Sequence, residues 1–162
     1  MTAPLLISCA GGDEAGTLTK TRSVTLVVQQ AVPELTPVDN DPVGPSVGDR
    51  LEFVAALSID GRAVGELTGV LTVAKVGSDS GSSVVEEERT GVLTFGLGET
   101  ASLTVNGNSK YRPGKKEMEV GDPQLRSVTG GAGIYEGAKG SVTTVHNADG
   151  TYTHTFALKL PS

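Results

Sequence analysis

The sequence is poor in cysteine, in aromatic residues and in positive charge. Cys9 is the one cysteine among 162 residues, so the chain has no internal disulfide and no zinc site built from cysteines. Aromatic residues make up 4% of the chain, and tryptophan is absent. The formal net charge of −6 argues against a nucleic-acid partner and against an anionic membrane, because both require basic patches.

Long apolar and helix-forming runs are also missing. No stretch approaches the roughly 18 apolar residues of a transmembrane helix. The apolar residues 3–7 are too few for a signal peptide and follow no lysine or arginine, which predicts a cytoplasmic protein. Glycine, in contrast, accounts for 22 residues, and valine and threonine are abundant. This composition favours β-strands joined by tight turns.

Alternating segments predict a single all-β domain. Residues 1–22 are polar and aperiodic and are expected to form a flexible arm or lid, ahead of a barrel domain over residues 23–162. Residues 33–49 carry four prolines and predict a long loop. A meander of about eight strands favours a closed antiparallel barrel, because closure removes exposed edges; an open sandwich is the alternative. The expected strands are residues 23–32, 50–59, 63–76, 84–95, 100–107, 123–130, 139–147 and 151–160.

The stretch VTGGAGIYEGAKGSVT, residues 128–143, is dense in glycine and raises the question of a phosphate site. A dinucleotide fingerprint needs G-x-G-x-x-G between a strand and a helix. Here Gly131, Gly133 and Gly137 are spaced one residue too widely, and the β-branched segment that follows predicts a strand. We therefore expect a tight corner between strands, in which at least one glycine has a positive φ.

The final hairpin concentrates the polar aromatic residues. If its turn pairs Asn147 with Thr151, alternation divides the residues of both strands between two faces. Both histidines then share the apolar face with a tyrosine, either as ordinary core residues or as a site; a metal site lacks an evident third ligand. That face consists of Val142, Thr144, His146, Tyr152, His154, Phe156 and Leu158.

Further candidates lie on other predicted strands. Alternation puts Glu87 and Arg89 on one face of their strand and Glu86 and Glu88 on the other. The charges are expected outside the barrel, although one face can instead line a polar mouth. Arg126 either points inward, toward a carboxylate or tetronate group, or lies on the surface.

Two motifs resemble the allene oxide cyclase and dirigent β-barrel superfamily. The glycine-rich stretch SVTGGAGIYEGAKGSVT is similar to the corner motif that closes those barrels. The upstream segment VGDRLEFVAALSIDGRAVGELTGVLTV resembles the family's hairpin, and YTHTFALKL resembles its last strand. The matches span roughly residues 23–160 in the family's order. The resemblance implies an eight-stranded, calycin-like barrel.

The resemblance also implies a function. Short bacterial members of the superfamily include cyclases of polyketide biosynthesis that catalyse intramolecular 4+2 (Diels–Alder-type) cycloadditions, as in spirotetronate pathways. Such an enzyme needs no metal and no cofactor, only an apolar cavity that folds a polyene and donors that polarise a carbonyl. Gln29 and Gln30 stand where allene oxide cyclases carry a carboxylate and an amide, and the first carboxylate is Glu34, which departs from oxylipin chemistry. A non-catalytic hydrophobic-ligand barrel and an allene oxide cyclase-type isomerase are the alternatives.

These considerations lead to specific expectations for the site. Tyr152 and His154 are the expected catalytic donors to a substrate carbonyl, and the proline-rich loop is the expected route of the ligand. Family members commonly oligomerise, and apolar positions such as Val54 and Ala56 are expected outside, so a homodimer is predicted. The expected substrate contacts are Gln30, Phe53, Phe95, Arg126, Thr144, His146 and Phe156.

Overall fold

The protein is described by a computed structural model over residues 20–162, in which strands dominate. One short 3₁₀ turn, Gly133–Tyr135, is the single helical element of this part of the chain. The first strand begins at Thr21, two residues before its predicted start, and residues 1–19 of the predicted arm lie outside the described residues. The strands are β1 (Thr21–Gln30), β2 (Glu34–Val38), β3 (Arg50–Ile59), β4 (Arg62–Lys75), β5 (Ser78–Asp79), β6 (Val84–Val85), β7 (Glu87–Gly96), β8 (Ser102–Tyr111), β9 (Gln124–Ala132), β10 (Lys139–His146) and β11 (Tyr152–Pro161).

The main sheet closes on itself as an antiparallel barrel. Its strands follow the order β1-β11-β10-β9-β8-β7-β4-β3-β2, and β1 also pairs with β3. The first part of β3, residues 50–54, pairs with β2, whereas Leu57 and Ser58 pair with the end of β1. The two strands β1 and β2 thus share one position beside β3, which gives eight positions around the barrel. The predicted eight-stranded barrel is confirmed, and β5 with β6 forms a small separate ribbon.

The prediction of a loop over residues 33–49 is wrong for the first part of this segment. Residues 34–38 form β2, which contains Pro37 and pairs with β3 alone. A proline is tolerated there because an edge position does not require its missing N–H for a second ladder. The remaining residues are irregular, and Asp49 holds them by accepting backbone N–H bonds from Asn40 and Ser46, each at 2.9 Å.

Alternation along the strands separates a packed interior from a threonine-rich exterior. The inward side chains fill most of the lumen, as expected for an eight-stranded barrel. Six large interior side chains are less than 3% exposed and define the bottom of the barrel: Leu57, Leu67, Phe95, Leu103, Phe156 and Leu158. One part of the lumen, described below, leaves space for a ligand.

The glycine-rich segment forms the predicted corner between β9 and β10. Gly133 has a φ of +62°, and a Cβ built on it would lie 2.5 Å from the carbonyl oxygen of Thr100. A Cβ on Gly131 would lie 2.3 Å from the carbonyl oxygen of Tyr135. The space around Gly130, in contrast, is open. The corner prediction is confirmed, and it depends on Gly131 and Gly133.

The outer surface keeps several exposed apolar side chains. Val54 is 40% exposed, Val92 is 50% exposed, and Ala56 is also exposed, as expected from the inward direction of their neighbours. The homodimer remains a prediction. No helix within residues 20–162 has the length and apolar character needed to cross a membrane.

Candidate functional site

A narrow cavity lies in the lumen, between the start of β2 and the connection from β8 to β9. Its volume is about 40 Å³. It has room for a few water molecules in this conformation. The mouth is bordered by the turn after β1 and by the connection before β9. The wall consists of Gln30, Pro33, Leu35, Leu51, Phe53, Leu71, Leu93, Tyr111, Lys116, Glu117, Met118, Arg126, Thr144, Tyr152 and His154.

His154 lies at the centre of a buried chain of hydrogen bonds that joins three strands. Its Nε2 is 2.7 Å from Oε1 of Gln30, and its Nδ1 is 2.8 Å from Oγ1 of Thr144. Because the Gln30 oxygen can only accept, Nε2 carries the proton and Nδ1 accepts the threonine hydroxyl. Burial, and secondarily the charge of Arg126, lowers the pKa of His154 to about 3. The imidazole is therefore neutral at physiological pH, with both nitrogens engaged.

Gln30 can also present a donor to the cavity. Its Oε1 is used by His154, and its amide nitrogen makes no hydrogen bond within residues 20–162. The residue is 3% exposed and lies on the cavity wall. An amide whose oxygen is fixed has its N–H groups fixed as well, so His154 orients Gln30 as a neutral donor.

Tyr152 stands between the two histidines. Its ring is stacked on that of His146, with centroids 4.3 Å apart and planes 6° from parallel, and its hydroxyl donates to Oε1 of Glu117 at 3.2 Å. Burial and the neighbouring carboxylate raise the pKa of Tyr152, which keeps the phenol protonated. Nδ1 of His146 donates to the carbonyl oxygen of Met118 at 2.7 Å. The final hairpin thereby anchors the connection that covers the mouth.

Arg126 is a buried cation on the cavity wall. It is 4% exposed, and one terminal nitrogen donates to the hydroxyls of Ser109 and of Tyr111, the latter at 3.3 Å. Its Nε is buried and has no hydrogen-bond partner among the described residues. Within residues 20–162, the hydrogen-bond partners of its guanidinium are thus two neutral hydroxyls.

A second buried arginine nearby is neutralised. Arg89 donates to Glu87 at 2.5 Å and to the carbonyl oxygens of Lys115 and Lys116, and its guanidinium lies 4.0 Å from the centroid of the Tyr111 ring. Both members of the ion pair are buried. The expectation that these charges lie outside is wrong for this face; the alternative, a face that lines a polar part of the barrel, is the one observed.

The structure brings six of the nine expected site residues to one cavity. The predicted register of the last hairpin is confirmed, with His146 opposite Tyr152 and Thr144 opposite His154. Phe95 packs edge-on against His154, and Phe156 packs against Phe95. Neither phenylalanine lines the cavity, and His146 is stacked on Tyr152 outside the wall. The six that line the cavity are Gln30, Phe53, Arg126, Thr144, Tyr152 and His154.

Sequence reasoning missed the contribution of residues 109–118. The predicted strand ended at Gly107, whereas β8 continues to Tyr111 and puts Ser109 and Tyr111 inside. The alternation of inward residues from Leu103 onward was the available signal. No comparable pattern in the sequence indicates that Glu117 lines the cavity mouth. Its segment is aperiodic, and tertiary packing brings it to the mouth.

No group of three potential metal-ligating side chains (His, Cys, Asp or Glu) occurs within residues 20–162. Among the cavity-lining side chains only those of Lys116, Glu117 and Arg126 carry a charge at neutral pH. The cavity wall offers hydrogen-bond donors and charged groups that can bind and orient a ligand.

Known structures share this architecture. No protein-family model and no curated protein matches the sequence. A pyocyanin demethylase aligns with a TM-score of 0.61 and 22% identity over 85% of this chain and 99% of its own. The Diels–Alderase AbmU from Streptomyces koyangensis aligns with a TM-score of 0.59 and 11% identity over 88% of this chain. A pterocarpan synthase dirigent protein aligns with a TM-score of 0.55 and 14% identity over 99% of this chain.

The chain has the allene oxide cyclase-like, dirigent-type barrel fold. The resemblance inferred from the glycine-rich corner and the first hairpin is thereby confirmed at the level of the fold. The chain spans 64% of the Diels–Alderase but 98% of the dirigent protein. Proteins with this barrel therefore include a Diels–Alderase, a demethylase and a dirigent protein.

Proposed function

We propose that this barrel is a cofactor-independent cyclase that folds a linear polyketide and promotes an intramolecular 4+2 cycloaddition. The observation that carries the proposal is the cavity itself: an apolar pocket in the lumen with fixed neutral donors on one wall. Its likeness in fold to a Diels–Alderase supports the same activity. The substrate is an apolar polyene with a conjugated carbonyl group.

A cycloaddition requires few chemical groups from the protein. The bonds form in one pericyclic step, with no net proton transfer and no redox change, so a base or a nucleophile is unnecessary. Folding the polyene in a shaped cavity removes much of the entropic barrier before the reaction. Donors aimed at the carbonyl of the dienophile stabilise the charge that develops in the transition state.

The donors assigned to the carbonyl are Gln30 and Tyr152. Gln30 lines the cavity, and its amide nitrogen makes no hydrogen bond within residues 20–162. The hydroxyl of Tyr152 donates to Glu117 in this structure and would donate to the substrate carbonyl instead. His154 acts as a positioning residue, because both ring nitrogens are already bonded and its pKa of about 3 keeps it neutral. This role differs from the direct contact expected from the sequence.

The cavity must widen to admit a polyene. Its volume of about 40 Å³ is below that of typical ligand pockets. Several wall residues are only partly buried, among them Phe53 and, at the mouth, Glu117, whereas Lys116 is exposed. The Phe53 ring lies over Gly69, opposite on β4, where a Cβ would be 2.2 Å from Cζ. Rotation of Phe53 is the assigned opening motion.

The alternatives are supported less well. Glu34, the first carboxylate after β1, is exposed and pairs with the outward Val54, so it offers no lumenal carboxylate for allene oxide chemistry. A non-catalytic ligand barrel has one observation in its favour: the polar groups around His154 satisfy one another without a substrate. The experiment below separates that alternative from the enzyme.

Incubation with a linear tetramate or tetronate polyene tests the proposal. The expected result is an isomeric product of unchanged mass, resolved by chromatography, that forms well above the spontaneous rate. Heat-denatured protein is the control. Binding of the polyene without rate enhancement would assign the non-catalytic function instead.

A further inference from the structure

We infer that Arg126 is an anion receptor that binds a planar oxyanion of the ligand, a carboxylate or the enolate of a cyclic 1,3-dicarbonyl. The inference deepens the proposed function by naming the ligand's acidic end, and in that sense rests on it. It is carried by a buried guanidinium that lines the cavity without an ionic partner.

The charge balance inside the barrel is incomplete. Two guanidinium groups, Arg89 and Arg126, are buried in the described part of the lumen, together with one buried carboxylate, Glu87. Glu87 pairs with Arg89 at 2.5 Å, and Arg126 forms no ion pair within residues 20–162. A buried charge without a counter-ion is costly, so a bound anion has a favourable place here.

The barrel makes room for this guanidinium. Gly91 on β7 and Gly107 on β8 face each other in the sheet. A Cβ on Gly91 would lie 3.4 Å from Nε of Arg126, and a Cβ on Gly107 would lie 3.2 Å from its Cγ. Ser109 and Tyr111 orient one terminal nitrogen. Nε and the other terminal nitrogen make no hydrogen bond within residues 20–162, so the guanidinium keeps donors that a bound oxyanion can use.

The polarity of the cavity orients such a ligand. Glu117 is at the mouth, with 35% of its side chain exposed, whereas Arg126 is 4% exposed. Lys116 lies beside Glu117 at the mouth and offsets its charge, whereas Arg126 attracts an anion to the buried part of the cavity. Leu71 and Leu93 form apolar wall beside Arg126. The ligand therefore binds with its oxyanion at Arg126 and its apolar body toward Phe53 and Leu35.

Binding measurements with a matched pair of probes test the inference without any cyclase assay. Cinnamate supplies a carboxylate on an apolar body, and cinnamamide has the same shape without the charge; an acyl tetronic acid and its O-methyl ether form the enolate pair. We expect calorimetry or ligand-observed NMR at pH 7 to show each anion binding at least 10-fold more tightly than its neutral counterpart. If the anion binds more tightly than its neutral counterpart in only one of the two pairs, that pair identifies whether the site binds a carboxylate or an enolate.

Variants assign the preference to Arg126. Arg126→Gln should remove the 10-fold discrimination, whereas Arg50→Gln, at an exposed arginine on β3, should leave it unchanged. Arg126→Met should raise Tm, because it removes an unpaired buried charge. Equal binding of anion and neutral probe to the wild-type protein, or no binding of either, would overturn the inference. Anion binding without cycloaddition would refute the enzyme and leave the receptor in place.

Discussion

His154 and Gln30 are joined by a 2.7 Å hydrogen bond between the last strand and the first, across 124 positions of sequence. The bond spans the β1–β11 pair, in which Gln30 lies opposite Tyr152 and Val28 opposite His154. With Thr144 on the other nitrogen, it completes a buried polar chain across β1, β11 and β10. Such a chain contributes to stability only while every member is satisfied.

The first prediction concerns this chain. Gln30→Leu leaves the Nε2–H of His154 buried without a partner, which should lower the free energy of unfolding by about 1–3 kcal/mol. Gln29→Leu is the matched control, because the neighbouring glutamine is exposed and its bond to Thr153 is at the surface. That variant should change the free energy of unfolding by less than about 0.5 kcal/mol. Urea denaturation measures both, and equal effects would contradict the buried chain.

The second prediction concerns the protonation of His154. The chain has two histidines, so NMR resolves two imidazole signals, and His146→Gln assigns them. Because the pKa of His154 is lowered to about 3 by burial, its signal should not titrate between pH 8 and 5. In urea the same signal should titrate near the ordinary value of about 6.5. A folded-state midpoint above pH 6 would exclude the neutral, buried imidazole.

The same lowered pKa predicts how stability depends on pH. The folded-state pKa lies below the unfolded one, so the unfolded chain binds the proton first. The contribution of His154 is complete above about pH 6.5 and is lost as the pH falls toward 3. The pKa values of Asp49 and Asp149 are also lowered, and the stability that these carboxylates contribute is lost only as the pH falls below their ordinary pKa of 3.8. His154→Gln should therefore flatten the stability profile between pH 6.5 and 4.5.

The third prediction concerns the corner. Gly133→Ala combines a positive φ with a Cβ against the Thr100 carbonyl, and Gly131→Ala brings a Cβ against the Tyr135 carbonyl. Each should lower the free energy of unfolding by about 2–4 kcal/mol. Gly130→Ala has open space and should have little effect. Thermal unfolding of the three variants measures the contrast, and a Gly130→Ala loss as large as the other two would contradict this account of the corner.

Much of the fold was predictable because alternation is strong where strands have one buried face. The last hairpin shows this best: the turn at residues 147–151 fixed the register, and the register fixed which side chains face the lumen. The neighbourhood of Gly107 was harder, because a glycine beside two asparagines resembles the end of a strand. In the structure that glycine instead makes room for Arg126.

The remaining features of the site depend on tertiary packing. Alternation put Glu87 and Arg89 on one face of their strand. The four successive charged residues 86–89, however, favour a position in solvent. The inward direction of this face becomes evident only from the folded barrel. Glu117 lies in an aperiodic segment that is positioned by the bond from His146 to the Met118 carbonyl. Contacts of this kind have no periodic signature in the sequence.

The last prediction concerns Tyr152, and it depends on the proposed cyclase activity. Tyr152→Phe keeps the stacking on His146 at 4.3 Å and removes only the hydroxyl that donates to Glu117. Because the raised pKa keeps this phenol protonated, its loss removes one donor to the substrate carbonyl and should slow the cycloaddition by about 10- to 1000-fold. Tyr135→Phe, at the corner and outside the cavity wall, is the control and should react at the wild-type rate.

The distribution of that loss between kcat and KM locates the role of the hydroxyl. A donor that acts mainly in the transition state lowers kcat and leaves KM nearly unchanged, whereas a binding contact raises KM. If Tyr152→Phe cyclises the polyene at the wild-type rate while Gln30→Leu is slow, the amide of Gln30 is the working donor. If both react at the wild-type rate, the final hairpin is only barrel wall, and the carbonyl must be polarised from the side of Arg126.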